Sequence, residues 1–165
     1  MVGAITGVLP QAIERVGVFV DEPEESVRAI VEEAGLTAVQ FHGAESPAYC
    51  ALFTHDLKVI KAFRVAADHD LAAVNDYPAS YYLFDTFVKG TPGGTGKAFD
   101  WKVLSGREIM RPVILSGGLT ADTVCAAIRE VAPFGIDVSS GVEKAPGVKD
   151  PALMGRFVEQ VRKCD

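Results

Sequence analysis

Six short runs of β-branched and aromatic residues alternate with stretches of helical period along this chain, and that alternation limits its fold more than any other feature. The runs are VGVFV from Val16, TAVQFHG from Thr37, KVIKAF from Lys58, SYYLFDTFV from Ser80, RPVILSGG from Arg111 and GIDVSSG from Gly135. Between them, Val27, Ile30, Val31 and Ala34 fall at i, i+3, i+4, i+7, as do Val124, Ala127, Ile128 and Val131, so each set lines one face of a helix. Ser46-Pro47 and Asp150-Pro151 each put a capping side chain before a proline suited to the first helical position. Thr120 is placed to cap the Val124 helix, and Gly35 to close the Val27 helix. Strand and helix repeat about every 20 to 30 residues, the rhythm of parallel strands joined by crossover helices. Residues 1–165 are expected to form one α/β domain.

Two architectures fit that rhythm, an open doubly wound sheet and a closed (βα)8 barrel. Polar residues favour the barrel. Gln40 and His42, Asp85 and Thr86, Ser116 and Gly117, and Asp137 with Ser139 and Ser140 all fall at the C-terminal ends of successive strands. Barrel enzymes put their chemistry on that face, whereas an open sheet concentrates ligand contacts at one switch point. No GxGxxG follows the first strand. A length of 165 residues lies below the roughly 200 to 400 of a complete barrel, so the expectation is a barrel cut at its N-terminus to about six βα units.

Composition excludes several classes of partner. The net charge is −6, with the basic residues scattered, which offers nucleic acid no electrostatic footprint. No apolar run reaches membrane-spanning length, and the first twenty residues lack the basic start and cleavage pattern of a signal peptide. Cys50, Cys125 and Cys164 are odd in number and lack CxxC spacing, which argues against a disulfide framework and a zinc site. The reading is a cytoplasmic protein with no metal and no cofactor.

Three glycine clusters follow the last three runs: GTPGGTGKAFDW with Gly93, Gly94, Thr95 and Gly96; LSGGL with Ser116, Gly117 and Gly118; and DVSSGVE with Asp137, Ser139, Ser140 and Gly141. One such cluster is accounted for by a tight turn. Three in successive loops, two with serines, point to backbone N–H groups arranged to hold a phosphate. A phosphorylated small molecule is the expected partner. Lys61, inside a strand, needs a buried partner and reads as a structural or electrostatic element near that ligand. Arg64, one step beyond, is either a ligand contact or an exposed loop residue.

These strings resemble the phosphoribosylanthranilate isomerase family of tryptophan biosynthesis. The resemblance rests on VGVFV, VQFHG, VIKAF, LFDT, GGTGKAFDW, VILSGGL and DVSSGVEKAPGVKD, in order from about Arg15 to the C-terminus. It implies an Amadori rearrangement of N-(5-phosphoribosyl)anthranilate to 1-(o-carboxyphenylamino)-1-deoxyribulose 5-phosphate. Such a reaction needs an acid at the furanose ring oxygen and a base at the C2 proton. By resemblance Asp85 is the acid, while Gln40, His42, Lys61 and Thr86 meet the substrate. The family's base is a cysteine in a KICGIT-like first-strand motif, which these residues do not contain. Cys50 and Cys125 fall in helical stretches and read as packing residues. A start internal to a longer gene, a truncation, or strands supplied by a partner or a swapped homo-oligomer would each account for the difference, the first two being preferred. The alternative to an isomerase is a partner subunit or barrel fragment that binds a sugar phosphate without turning it over.

Overall fold

The computed structural model describes residues 5–65, 71–85, 101–104 and 106–164. Its main sheet has six strands in chain order: β1 (Val16–Phe19), β2 (Ala38–Phe41), β3 (Lys58–Arg64), β4 (Tyr81–Asp85), β5 (Val113–Ser116) and β6 (Gly135–Ile136). The pairs β1–β2, β2–β3 and β5–β6 are parallel, with Phe19 opposite Phe41 and Phe41 opposite Lys61. The described residues form two compact units. The first runs to Phe63 and takes in Leu71–Tyr82; the second holds Arg64, Val65 and the described residues from Leu83 onward.

In the first unit, β2 and β3 are buried almost along their length, as strands covered on both faces must be. Phe41 is the hub: its ring lies 5.1 Å from Phe53, 5.2 Å from Tyr49 and 6.4 Å from Phe19, centroid to centroid. Helix α1 (Glu24–Ala34) carries Glu24 and Glu25 in its first turn, where the helix dipole favours negative charge. Gly35 ends it in the left-handed conformation at φ 59°, as expected from the sequence. Val27 and Ala34 are buried, but Ile30 on the same stripe is 40% exposed. Helix α2 (Pro47–Ala51) starts as the Ser46-Pro47 pair predicts, Ser46 accepting the Tyr49 N–H.

In the second unit, helix α3 (Val124–Val131) buries Val124 and Ala127. The expected cap at Thr120 is corrected. Thr123 holds the cap position without a side-chain cap bond, while the Thr120 carbonyl accepts Thr123 N–H and Val124 N–H. The Thr120 hydroxyl takes the Asp122 N–H instead. Helix α4 (Pro151–Arg162) is capped as expected, Asp150 accepting from Ala152 at 2.8 Å and Leu153 at 3.3 Å. The GIDVSSG run is strand only at Gly135–Ile136; Ser140–Val142 is a turn of 3₁₀ helix. An antiparallel hairpin follows, β7 (Glu143–Ala145) and β8 (Val148–Lys149), turning at Gly147 with φ 77°.

The cysteine expectation is overturned. Cys125 on α3 and Cys164 beyond α4 form a disulfide across 39 residues, their Cα atoms 5.1 Å apart. Spacing along the chain does not reveal it, because two helices packed side by side create the proximity. Among the described residues no helix is long and apolar enough to cross a membrane.

The closed loop limits the unfolded chain, so reduction is expected to lower stability by at most about 4 kcal/mol, the chain-entropy value for such a loop. Urea unfolding with and without a reductant measures this, and alkylation of the oxidised chain unfolded in urea should label one cysteine, the buried Cys50. Identical unfolding curves would refute it.

Candidate functional site

In the first unit the polar groups gather where β1 and β2 end. Gln40 is half-buried, and its Nε2 lies 3.1 Å from His42 Nδ1. With the amide as donor, Nδ1 accepts, and a neutral ring carries its proton on Nε2. The His42 backbone N–H donates to Phe19 O at 2.8 Å, tying the end of β2 to the end of β1.

Lys61 is 3% exposed. Its ammonium donates to Phe41 O at 3.3 Å, Gly43 O at 2.8 Å and Glu45 Oε2 at 2.8 Å. All three protons therefore have protein acceptors. The buried partner that a strand lysine requires is Glu45. Glu45 also accepts the Asp21 N–H at 2.9 Å and the Gly43 N–H at 2.9 and 3.2 Å. Asp21, in the left-handed region at φ 52°, accepts the Ala44 N–H at 2.6 Å. Burial pushes the Glu45 carboxyl up, but Lys61 and the backbone N–H groups outweigh it and hold the group below its ordinary 4.5. Neither Asp21 nor Glu45 stands out in the sequence. The one usable signal is a carboxylate two residues past the glycine of VQFHG, in reach of a lysine on the neighbouring strand. Arg64 ends β3 exposed.

Cys50 is buried, and burial pushes its thiol up to about 11.

In the second unit, Asp85 ends β4 half-buried, its carbonyl accepting the Val65 N–H. The buried Ser116 hydroxyl donates to Asp137 Oδ2 at 2.7 Å. Gly117 and Gly118 follow at φ 89° and 63°, conformations that side-chain-bearing residues rarely adopt. Gly141 is required for a different reason: a Cβ there would lie 1.9 Å from Leu119 O. Lys149 Nζ donates to Ser139 O at 2.9 Å, Ser139 Oγ at 3.1 Å and Glu143 Oε1 at 2.7 Å. The hairpin thus fixes the DVSSG turn. Lys149 carries no local sequence signal, because it lies ten residues from the serine it holds. Ser140 opens the 3₁₀ turn. Thr86, Gly93, Gly94, Thr95 and Gly96 lie outside the described residues. Among the described residues, no three His, Cys, Asp or Glu side chains cluster to hold a metal ion.

Parallel strands joined by helices, with polar strand ends and glycine turns, define an α/β protein of the (βα)8-barrel class. Comparison with known proteins narrows the class. Residues 5–160 match the family model N-(5'phosphoribosyl)anthranilate (PRA) isomerase. The N-(5'-phosphoribosyl)anthranilate isomerase of Desulforudis audaxviator (strain MP104C) is 49% identical over 163 residues, 98% of this chain and 78% of that protein. The crystal structure of phosphoribosyl anthranilate isomerase from Thermotoga maritima superposes with a TM-score of 0.88 at 37% identity, over 98% of this chain and 79% of that one. Another isomerase structure, in complex with reduced 1-(o-carboxyphenylamino)-1-deoxyribulose 5-phosphate, gives 0.84 at 34%, over 98% and 78%. The chain belongs to the phosphoribosylanthranilate isomerase family.

Two outcomes follow from this geometry. Gly141→Ala forces backbone apart, so denaturant unfolding should show a loss of about 1–3 kcal/mol. The lowered Glu45 carboxyl stabilises the fold above its unfolded value and loses that contribution as pH falls through the folded one. Urea midpoints should therefore fall between about pH 6 and pH 3, less steeply in Glu45→Gln.

Proposed function

We propose that the chain performs the rearrangement for which its family is named, converting N-(5-phosphoribosyl)anthranilate to 1-(o-carboxyphenylamino)-1-deoxyribulose 5-phosphate in the cytoplasm. The observation that carries this reading is the family match over residues 5–160 with Asp85 of LFDT standing at a strand end. Asp85 is the general acid. It gives its proton to the furanose ring oxygen as the C1–O bond breaks, and the nitrogen lone pair forms the iminium; loss of the C2 proton to a base then gives the enamine, which tautomerises to the ketose.

Gln40 and His42 serve as substrate contacts in the first unit, with Lys61 acting beneath them. In the second unit, Ser116, Gly117, Gly118, Ser139, Ser140 and Gly141 serve the phosphate. Backbone N–H groups suit an anion in a turn with two left-handed glycines. Asp137, a carboxylate, serves by holding Ser116 rather than by meeting the phosphate. Thr86 and the Gly93–Gly96 string are assigned to the same ligand by resemblance.

One observation favours a second reading, binding without turnover by these 165 residues. A thiolate base needs an accessible thiol of low pKa, whereas Cys50 is buried and shifted upward and Cys125 and Cys164 are joined.

Substrate fluorescence separates the two readings. Turnover should consume the anthranilate signal, and Asp85→Asn, which cannot supply a carboxylic proton, should cut kcat by about 10²–10⁴-fold. Turnover untouched by that substitution would remove Asp85 from the mechanism. Protection from unfolding by inorganic phosphate without turnover would select the binding reading.

A further inference from the structure

Among the described residues of the first unit, Glu45 and Lys61 form a buried ion pair, and its bonds converge on a single short segment. Gly43 is held on both sides, its N–H by Glu45 and its carbonyl by Lys61. Ala44 N–H is held by Asp21, and Asp21 N–H by Glu45. The carbonyl of Phe41, on the other side of His42, accepts from Lys61. The residue between these fixed points is His42, whose own N–H is tied to Phe19.

We propose that Glu45, with Lys61 and Asp21, forms a clamp that positions the His42 imidazole, fixing the backbone on both sides so that Gln40 can hold the ring in one tautomer. Its relevance to catalysis rests on the reading of His42 as a substrate contact; the clamp itself does not. A buried ion pair alone is weak evidence for stability, since an apolar pair of similar volume often does as well. Three features point to positioning instead. The carboxylate is spent on N–H groups of two different turns. Asp21 is kept in a left-handed conformation that only local hydrogen bonding favours. Gly43 leaves no space for a side chain, because a Cβ would lie 2.4 Å from Asp21 Oδ1 and 2.8 Å from Asp21 N. The turn is held to one geometry, which a functional side chain needs from the groups behind it.

The test observes the ring directly, by two-bond ¹H–¹⁵N correlation of the histidines in the full chain, with His42→Gln assigning the signal. His55, whose side chain is 96% exposed, is the internal control. The wild type should show His42 as a single Nε2–H tautomer. In Glu45→Gln that pattern should be lost to a mixture of tautomers while His55 is unchanged. Glu45→Gln leaves a buried ammonium short of its partner, so Asp21→Ala, at an exposed position, provides the second variant. It too should lose the single-tautomer pattern, and Asp21→Asn, which keeps the acceptor and tolerates the left-handed backbone, should restore it. A folded Glu45→Gln with the wild-type His42 pattern would overturn the proposal, as would an unchanged pattern in Asp21→Ala. The readout requires no turnover, so failure of the isomerase reading and failure of the clamp remain distinct results.

Discussion

The Lys61 ammonium lies in the middle of a buried strand, and the groups around it are arranged to meet the cost of taking a charge out of water. An unpaired ammonium there would cost several kcal/mol, and loss of one partner of a buried pair typically destabilises by about 3–5 kcal/mol. Three acceptors are therefore obligatory, and the fold supplies them from one place: the end of β2 and the turn beyond it. Once that turn is committed to Lys61, its remaining N–H groups need acceptors of their own. Glu45 and Asp21 provide them. The chain of requirements runs from one buried charge to the conformation of two turns, with the Tyr77 and Phe63 rings 5.8 and 6.0 Å from the ammonium.

The glycines illustrate how residues that look alike in a sequence meet different physical demands. Gly117 and Gly118 are needed for backbone angles, and Gly118 has open space where a side chain would be. Gly141 is needed for space, since the Leu119 carbonyl occupies the position of its missing Cβ. Gly43 is needed for space against an aspartate that is itself held by a neighbouring turn. The first kind lets successive N–H groups turn toward one side of the backbone without strain. The SGG and SSG strings thus divide into a turn that shapes N–H groups and a turn that seats close backbone packing, with the Ser116–Asp137 bond linking them.

Much of the fold is legible in the sequence because its signals are local. The strand runs, the Ser46 and Asp150 caps and the Gly35 terminator depend on residues within a few positions of one another, and each forms. Thr120 fails as a cap for an equally local reason: Thr123 lies nearer the helix start, and the Thr120 hydroxyl accepts the Asp122 N–H before the helix begins. What the sequence hides is long-range pairing. Cys125 and Cys164 lie 39 residues apart, Lys149 meets Ser139 across a hairpin, and Glu45 meets Lys61 across two strands. Each is set by packing of separate elements, to which no periodicity or spacing rule responds. The candidate site is therefore half-legible, in that the candidate residues stand in recognisable strings while the groups holding them do not.

The same distinction bears on how the chemistry is divided. A carboxyl on a strand end and N–H groups in glycine turns need only an intact local string, as at Asp85 and at Gly117–Gly118. A thiolate base is more demanding, because it requires exposure and a depressed pKa together. Cys50 has neither, since the apolar packing that makes it a good core residue also raises its thiol to about 11. Burial is the dominant cause; Lys61 pulls the value down and Glu45 pushes it up, and neither offsets the burial. The burial that makes Cys50 a core residue therefore also keeps its thiol from ionising, and the polar side chains at the end of β2 in that unit are Gln40 and His42.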